Sequence, residues 1–135
     1  MPALFRLKII TPDRIFFDGE TEHLIVRTTE GNVGILANHI PYAASLPAGA
    51  LKVKMPDGSF RAAAVADGMI KVSKEKTTVI ASSVEWADEI DVERAKKAEE
   101  AARERLKVHT SGVEFERAAF KLKRALNRIN VSKMK

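Results

Sequence analysis

Ile90-Asp91-Val92-Glu93-Arg94-Ala95 stands where the chain changes character, and that change decides the fold. Six of the seven glycines and all five prolines precede residue 87. Behind it, only Gly112 interrupts a stretch rich in Ala, Glu, Lys and Arg, the composition of two helices joined by one turn. The hexapeptide therefore marks a hinge between a β-rich part, residues 1–86, and a helical part, residues 87–135.

The helical part shows its faces in its spacing. Phe115, Ala118, Ala119, Leu122, Ala125, Leu126 and Ile129 recur at three- and four-residue intervals, one apolar stripe on a second helix. Ser111, three residues before Glu114, has the spacing of a capping box. The first helix offers Val92, Ala95, Ala98, Ala102 and Leu106, a stripe mostly of alanine. Two such helices can approach closely as an antiparallel hairpin, but each alanine buries little area, so the pairing is expected to be weak and movable.

The β-rich part reads as many short strands. Leu4–Ile10, Ile15–Phe17, Glu22–Thr28, Ala50–Met55, Ser59–Ala66, Met69–Ser73 and Thr77–Ser83 are β-branched or alternating. Turn residues such as Pro12-Asp13, Asp18-Gly19, Pro56-Asp57-Gly58 and Asp67-Gly68 separate them. No helix-length segment lies between these strands, so the expected fold is an antiparallel β-sandwich followed by the hairpin, not a doubly wound α/β sheet.

Charge is unevenly distributed. Residues 1–86 carry ten Lys/Arg against nine Asp/Glu, whereas residues 87–135 carry thirteen against nine. After Glu116 there is no acid, while Arg117, Lys121, Lys123, Arg124, Arg128, Lys133 and Lys135 follow. The last helix is a cationic rod, either a solvated face with bases near a helix C-terminus or a surface for a polyanion. Few aromatics and a nearly neutral β part argue against a nucleic-acid-binding module.

Other chemistries are disfavoured by inspection. The absence of cysteine removes disulfides, thiolate metal sites and Cys nucleophiles, and fits a reducing compartment. His23, His39 and His109 lack metal-ligand spacing, so no protein metal site is expected. Gly31-Asn32-Val33-Gly34 lacks the Lys-Ser or Lys-Thr that completes a phosphate-cradling loop. No serine sits in a nucleophile elbow, and no apolar run approaches the roughly 20 residues of a spanning helix. No catalytic residues are expected.

Glu30-Gly31-Asn32-Val33-Gly34-Ile35-Leu36-Ala37-Asn38-His39-Ile40-Pro41, continued by Leu46 and Gly49-Ala50-Leu51, resembles a signature of the epsilon subunit of the bacterial rotary F-type ATP synthase, Gly-x-x-Gly-Ile-Leu-Pro-x-His-x-Pro-Leu. Ala37 departs from the usual proline, and Tyr42-Ala43 from a leucine pair. The resemblance extends over the whole chain, through the alanine-rich hairpin to Arg124-Ala125-Leu126-Asn127-Arg128. It implies a non-catalytic central-stalk subunit that helps couple ion flow to ATP synthesis. The sandwich would bind the gamma subunit and the c-ring, with Glu30, Asn32 and His39 as candidate rotor contacts. The hairpin would either fold against the sandwich or extend into the alpha/beta catalytic hexamer and block ATP hydrolysis. The same resemblance implies a peripheral place on the cytoplasmic side of the bacterial cell membrane, with no direct membrane insertion and no nucleic-acid partner. A purely structural stalk subunit is the alternative.

The opening hexapeptide is similar to the Ile/Leu-Asp-x-x-Arg-Ala motif of ATP-binding epsilon subunits such as those of thermophilic bacilli. The resemblance implies ATP as a regulatory ligand, with any Mg2+ entering alongside the nucleotide. Glu85, Ile90 and Asp91 would face the adenine, while Arg94, followed by Ala95, and Arg124 and Arg128 would meet the phosphates. Arg124 and Arg128 lie four apart on one helical face. The family's further arginine, seven residues after the motif arginine, is Ala101 here; Arg103, the candidate in its stead, lies about 200° further around the helix and is not a simple substitute. Asp91 also fits an ordinary helix N-cap.

Overall fold

The computed structural model describes residues 3–134. Eight strands come first: β1 Phe5–Ile10, β2 Ile15–Thr21, β3 His23–Thr28, β4 Gly31–Leu36, β5 Tyr42–Leu46, β6 Gly49–Lys54, β7 Phe60–Val72 and β8 Lys76–Trp86. A 3-10 turn at Ala87–Glu89 leads to helices α1 Val92–Val108 and α2 Gly112–Ser132. The strands follow the hydrogen-bonded order β2-β1-β8-β7-β6-β3-β4, with β5 also on β7, and make the expected β-sandwich. One pairing departs from the antiparallel rule: β1 runs parallel to β8.

Alternation builds the core. Leu7 and Ile9 of β1, Leu24 and Val26 of β3, Ile35 of β4, Leu51 and Val53 of β6, Ile70 of β7 and Val79 of β8 all point into one buried cluster. At about 25 cal/mol per Å² of buried apolar surface, this cluster dominates the stability of the β part.

Four readings of the β part from sequence need correction. Asp18-Gly19 is not a turn but lies inside β2, where pairing of Asp18 opposite Lys8 and Gly19 opposite Leu7 of β1 holds it extended. Gly31–Leu36 and Tyr42–Leu46 are strands, although glycine and short polar residues hide their alternation. Asp67-Gly68 is not a turn. It lies inside β7, whose pairing with β8 runs through it unshifted, from Ala66 opposite Ser83 to Gly68 opposite Ala81. On its other edge β7 carries β6 up to Val65, opposite Gly49, and β5 from Gly68, opposite Leu46. Asp67 takes φ 37° at this changeover, and a Cβ on Gly68 would lie 2.4 Å from the Ile80 carbonyl oxygen. Strand partners on both sides override the local turn preference.

The end of β8 is pinned from outside. The Arg61 guanidinium stacks 4.1 Å over Trp86 and pairs with Asp88 at 3.2 Å and Glu89 at 3.6 Å. Trp86 also meets Phe16 at a centroid distance of 4.7 Å. The 3-10 turn is thereby tied to the sandwich. In the β6–β7 turn, hydrogen bonds from the Ser59 hydroxyl and amide hold the Asp57 carboxyl below its usual pKa.

The helices form an antiparallel hairpin in which α2 lies on β6 and β7, and α1 packs chiefly on α2. Asp91 caps α1, its carboxylate accepting from the Arg94 amide at 3.1 Å. Ser111 precedes α2 as expected, but its side chain makes no capping hydrogen bond. Ala95 and Ala102 of α1 and Ala118 and Ala125 of α2 are the buried residues of the seam. Because Gly68 has no room for a methyl group, Gly68→Ala is expected to destabilise the chain by about 1–3 kcal/mol, read as a lowered thermal midpoint by circular dichroism.

Candidate functional site

The sites fixed by α2 begin with its seat on the sandwich. Ala62 and Ala64 of β7, with Ala50 of β6 beside them, present a floor of methyl groups under the end of α2. Val131 packs into this floor together with Ala87 and Ile90. Small side chains let the helix approach until Asn127 Nδ2 donates to the Gly49 and Val65 carbonyls, at 3.0 and 3.2 Å. Those two residues face each other in the β6–β7 pairing, so one amide clasps two strands.

Three positions before Asn127 and one after it, arginines continue the attachment. Arg128 makes a two-pronged ion pair with Glu85 of β8, Nε to Oε1 and Nη2 to Oε2. Both side chains are about three-quarters shielded from water, which strengthens the pair relative to an exposed one. Arg124 Nη2 donates to Ser83 Oγ at 3.3 Å, two residues before Glu85 on the same face of β8. Sequence separations of 41 and 43 residues are closed by these contacts, so they exist only while the hairpin is docked.

On the other side of the same arginines, α1 and α2 enclose a groove of about 360 Å³. Its lining is Arg94, Ala98, Ala101, Ala102 and Arg105 of α1 with Lys121, Arg124, Ala125 and Arg128 of α2. It thus holds five cationic side chains, three alanines besides Ala125, and no carboxylate. Arg94, Arg105 and Lys121 form no ion pair among the described residues. Arg124 and Arg128 give only part of their N–H donors to Ser83 and Glu85, leaving the rest for another acceptor. A dense set of guanidinium forks with an alanine floor is suited to phosphate oxygens.

The residues singled out from sequence thus divide. Arg94, Arg124 and Arg128 converge on the groove, and Glu85 joins them through Arg128. Ala95 is buried in the helix seam, and Ile90 in the floor beneath α2. The Asp91 side chain serves as the helix cap. Arg103 is absent from the groove lining; it pairs with Glu99 at 3.5 Å, about 180° around α1 from Arg94. Arg105 takes the place considered for it. The signal for Arg105 is the helical period, since eleven positions after Arg94 bring it within about 20° of the same face. Lys121 is three positions before Arg124 and shares its face.

Glu30, Asn32 and His39 do not form one cluster. Glu30 sits in the turn before β4, Asn32 on that strand, and His39 beyond its far end. Along a strand of six residues, the two ends are roughly 20 Å apart. The His39 ring lies 2.7 Å from the Ile40 carbonyl oxygen through Nδ1 and meets Tyr42 edge-on.

Comparison with known proteins brings two family descriptions to the chain. Residues 4–87 match the model described as ATP synthase, Delta/Epsilon chain, beta-sandwich domain, and residues 88–133 the model of its long alpha-helix domain. Among curated relatives, the ATP synthase epsilon chain of Ruminococcus albus is 49% identical, covering 98% of this chain and 99% of the relative. That of Alkaliphilus metalliredigens is 42% identical over the full length of both. A chain in the mitochondrial ATP synthase of Euglena gracilis superposes with a TM-score of 0.81 at 22% identity, over 94% of this chain and 80% of that one, a likeness of fold.

The Glu85–Arg128 pair makes a clear energetic prediction. Glu85→Gln and Arg128→Gln are each expected to speed hydrogen exchange in α2 and leave the β3 and β6 amides protected. The double variant should be less destabilised than the sum, with a coupling of about 0.5–1.5 kcal/mol.

Proposed function

The chain belongs to the ATP synthase delta/epsilon family, whose epsilon chains are subunits of the central stalk of the F-type enzyme, and from that premise we propose that its hairpin regulates ATP hydrolysis and is held folded by ATP. The sandwich binds the gamma subunit and the c-ring, and the chain supplies no catalytic group of its own. Its association with the cytoplasmic face of the bacterial membrane is through the complex. Released from the sandwich, the hairpin reaches the alpha/beta hexamer and inhibits it.

The observation that carries this reading is the acid-free groove of five cations closed by both helices. Without a ligand, Glu85 offsets the charge of Arg128, and the remaining four repel one another and oppose closure of the hairpin. A triphosphate reverses the sign of that contribution. Each hydrogen bond from a guanidinium to a phosphate contributes about 1.5–3 kcal/mol. Arg124 and Arg128 extend the effect to the sandwich, because the same side chains hold Ser83 and Glu85. ATP bound in the groove therefore favours the docked hairpin as a whole.

The magnitude is sufficient. A ligand that binds one form only, at ten times its dissociation constant, favours that form by about 1.4 kcal/mol, a tenfold change in population. Against a seam made largely of alanine, that shift decides which form prevails. When ATP is plentiful, the inhibitory form is depleted.

A structural, ligand-independent stalk subunit is the second reading, and the existing Glu85–Arg128 and Asn127 contacts favour it, since they dock α2 with no ligand. Calorimetry separates the two. ATP is expected to bind the isolated chain saturably, with Arg94→Ala and Arg105→Ala each weakening affinity about tenfold or more, and Arg103→Ala leaving it within about twofold. Absence of saturation at millimolar ATP would leave the structural reading.

A further inference from the structure

The opposite flank of α2 encloses a second groove, of about 480 Å³, between the helix and the sandwich. Strand pairing sets four of its residues on one face of the sheet: Lys52 of β6 opposite Ile25 of β3, and Asn32 of β4 opposite Arg27 of β3. The helix supplies Lys123, Asn127 and Asn130, at intervals of four and three and so on one side of α2. The lining also includes Pro47, Ala48, Ala50, Leu126, Val131 and Met134, but no carboxylate.

Arg27, Lys52 and Lys123 come from three different elements, and none forms an ion pair among the described residues. The Arg27 stem is seated by Gly49, where an added Cβ would approach Arg27 Cβ and Cδ to 3.0 Å. Docking of α2 thus carries Lys123 toward two cations already on the sandwich. No ion pair among the described residues offsets that repulsion at this flank, although elsewhere the helix is anchored by Glu85.

We propose that this groove is a second anion site, which takes the phosphate groups of a small polyphosphate and so reinforces docking of the hairpin. It is separate from the ATP site between the helices: its cations belong to β3, β6 and α2, whereas the first groove is built wholly from α1 and α2. Ligand phosphates bridge Lys123 to Arg27 and Lys52, while the amides of Asn32 and Asn130 supply neutral donors. Occupancy links the helix to the sandwich directly, without passing through α1.

Amide NMR of the full chain tests the assignment, with pyrophosphate and ATP titrated separately at constant ionic strength. The Arg94→Ala/Arg105→Ala background silences the first groove. Saturable shifts at Arg27, Asn32, Lys52 and Lys123 are expected there. A response to both ligands assigns the site to the polyphosphate group, and a response to ATP alone assigns it to a nucleotide. Lys52→Gln/Lys123→Gln, with its fold read from the same spectrum, should weaken binding tenfold or more, and Arg27→Gln alone should weaken it measurably. Shifts that sodium chloride reproduces, that fail to saturate, or that survive these variants would overturn the proposal. So would phosphatidylglycerol vesicles that pellet the chain unless Lys52 and Lys123 are replaced, which would make the surface a lipid site.

Discussion

The seating of one cationic helix on a floor of alanines is the constraint on which the rest depends. Ala50, Ala62 and Ala64 bring α2 close enough for Asn127 to reach two strand carbonyls, but their methyl groups bury little area. The attachment is therefore specified mainly by polar contacts, Asn127 on the strands, Arg124 on Ser83 and Arg128 on Glu85. Such contacts position a helix firmly while contributing modestly to net stability, because each replaces a hydrogen bond to water. A helix held in this way can be released at moderate cost.

The β part contrasts with this. Its core is filled by Leu, Ile and Val from both faces, and the Arg61–Trp86 stack fixes the chain just before the hexapeptide. The grooves on both flanks of α2 are lined by cationic side chains and no carboxylate, which is the basis of the proposed response to anions. Under the proposed function, a well-packed platform, a weakly held helix and clustered positive charge make up a two-state element whose balance a ligand sets.

The helices were legible in the sequence because periodic alanine and leucine and the loss of glycine and proline are local signals. The strands β4 and β5 were not. Gly31 and Gly34 interrupt alternation in the first, and the second, Tyr42–Leu46, carries two alanines and a serine. Asp67-Gly68 read as a turn because the local preference is real, yet β8 on one edge and β5 and β6 on the other hold it extended. At the site, resemblance brought Arg94, Arg124 and Arg128 forward, whereas Arg105 and Lys121 required the helical period to be followed past Ala101. The Glu85–Arg128 pair spans 43 residues and depends on docking, so no local pattern encodes it.

In the proposed function, ATP and the docked hairpin stabilise each other. The chain has no cysteine, so spin labels can be placed at will, at Glu75→Cys in the turn after β7 and at Lys97→Cys on α1. Pulsed electron resonance then reads the distance between sandwich and hairpin as ATP is added. One narrow distance population is expected to grow at the expense of longer ones, with the same midpoint as ATP binding. A distance distribution that does not change while ATP binds, or that shifts toward longer distances, would contradict the proposal.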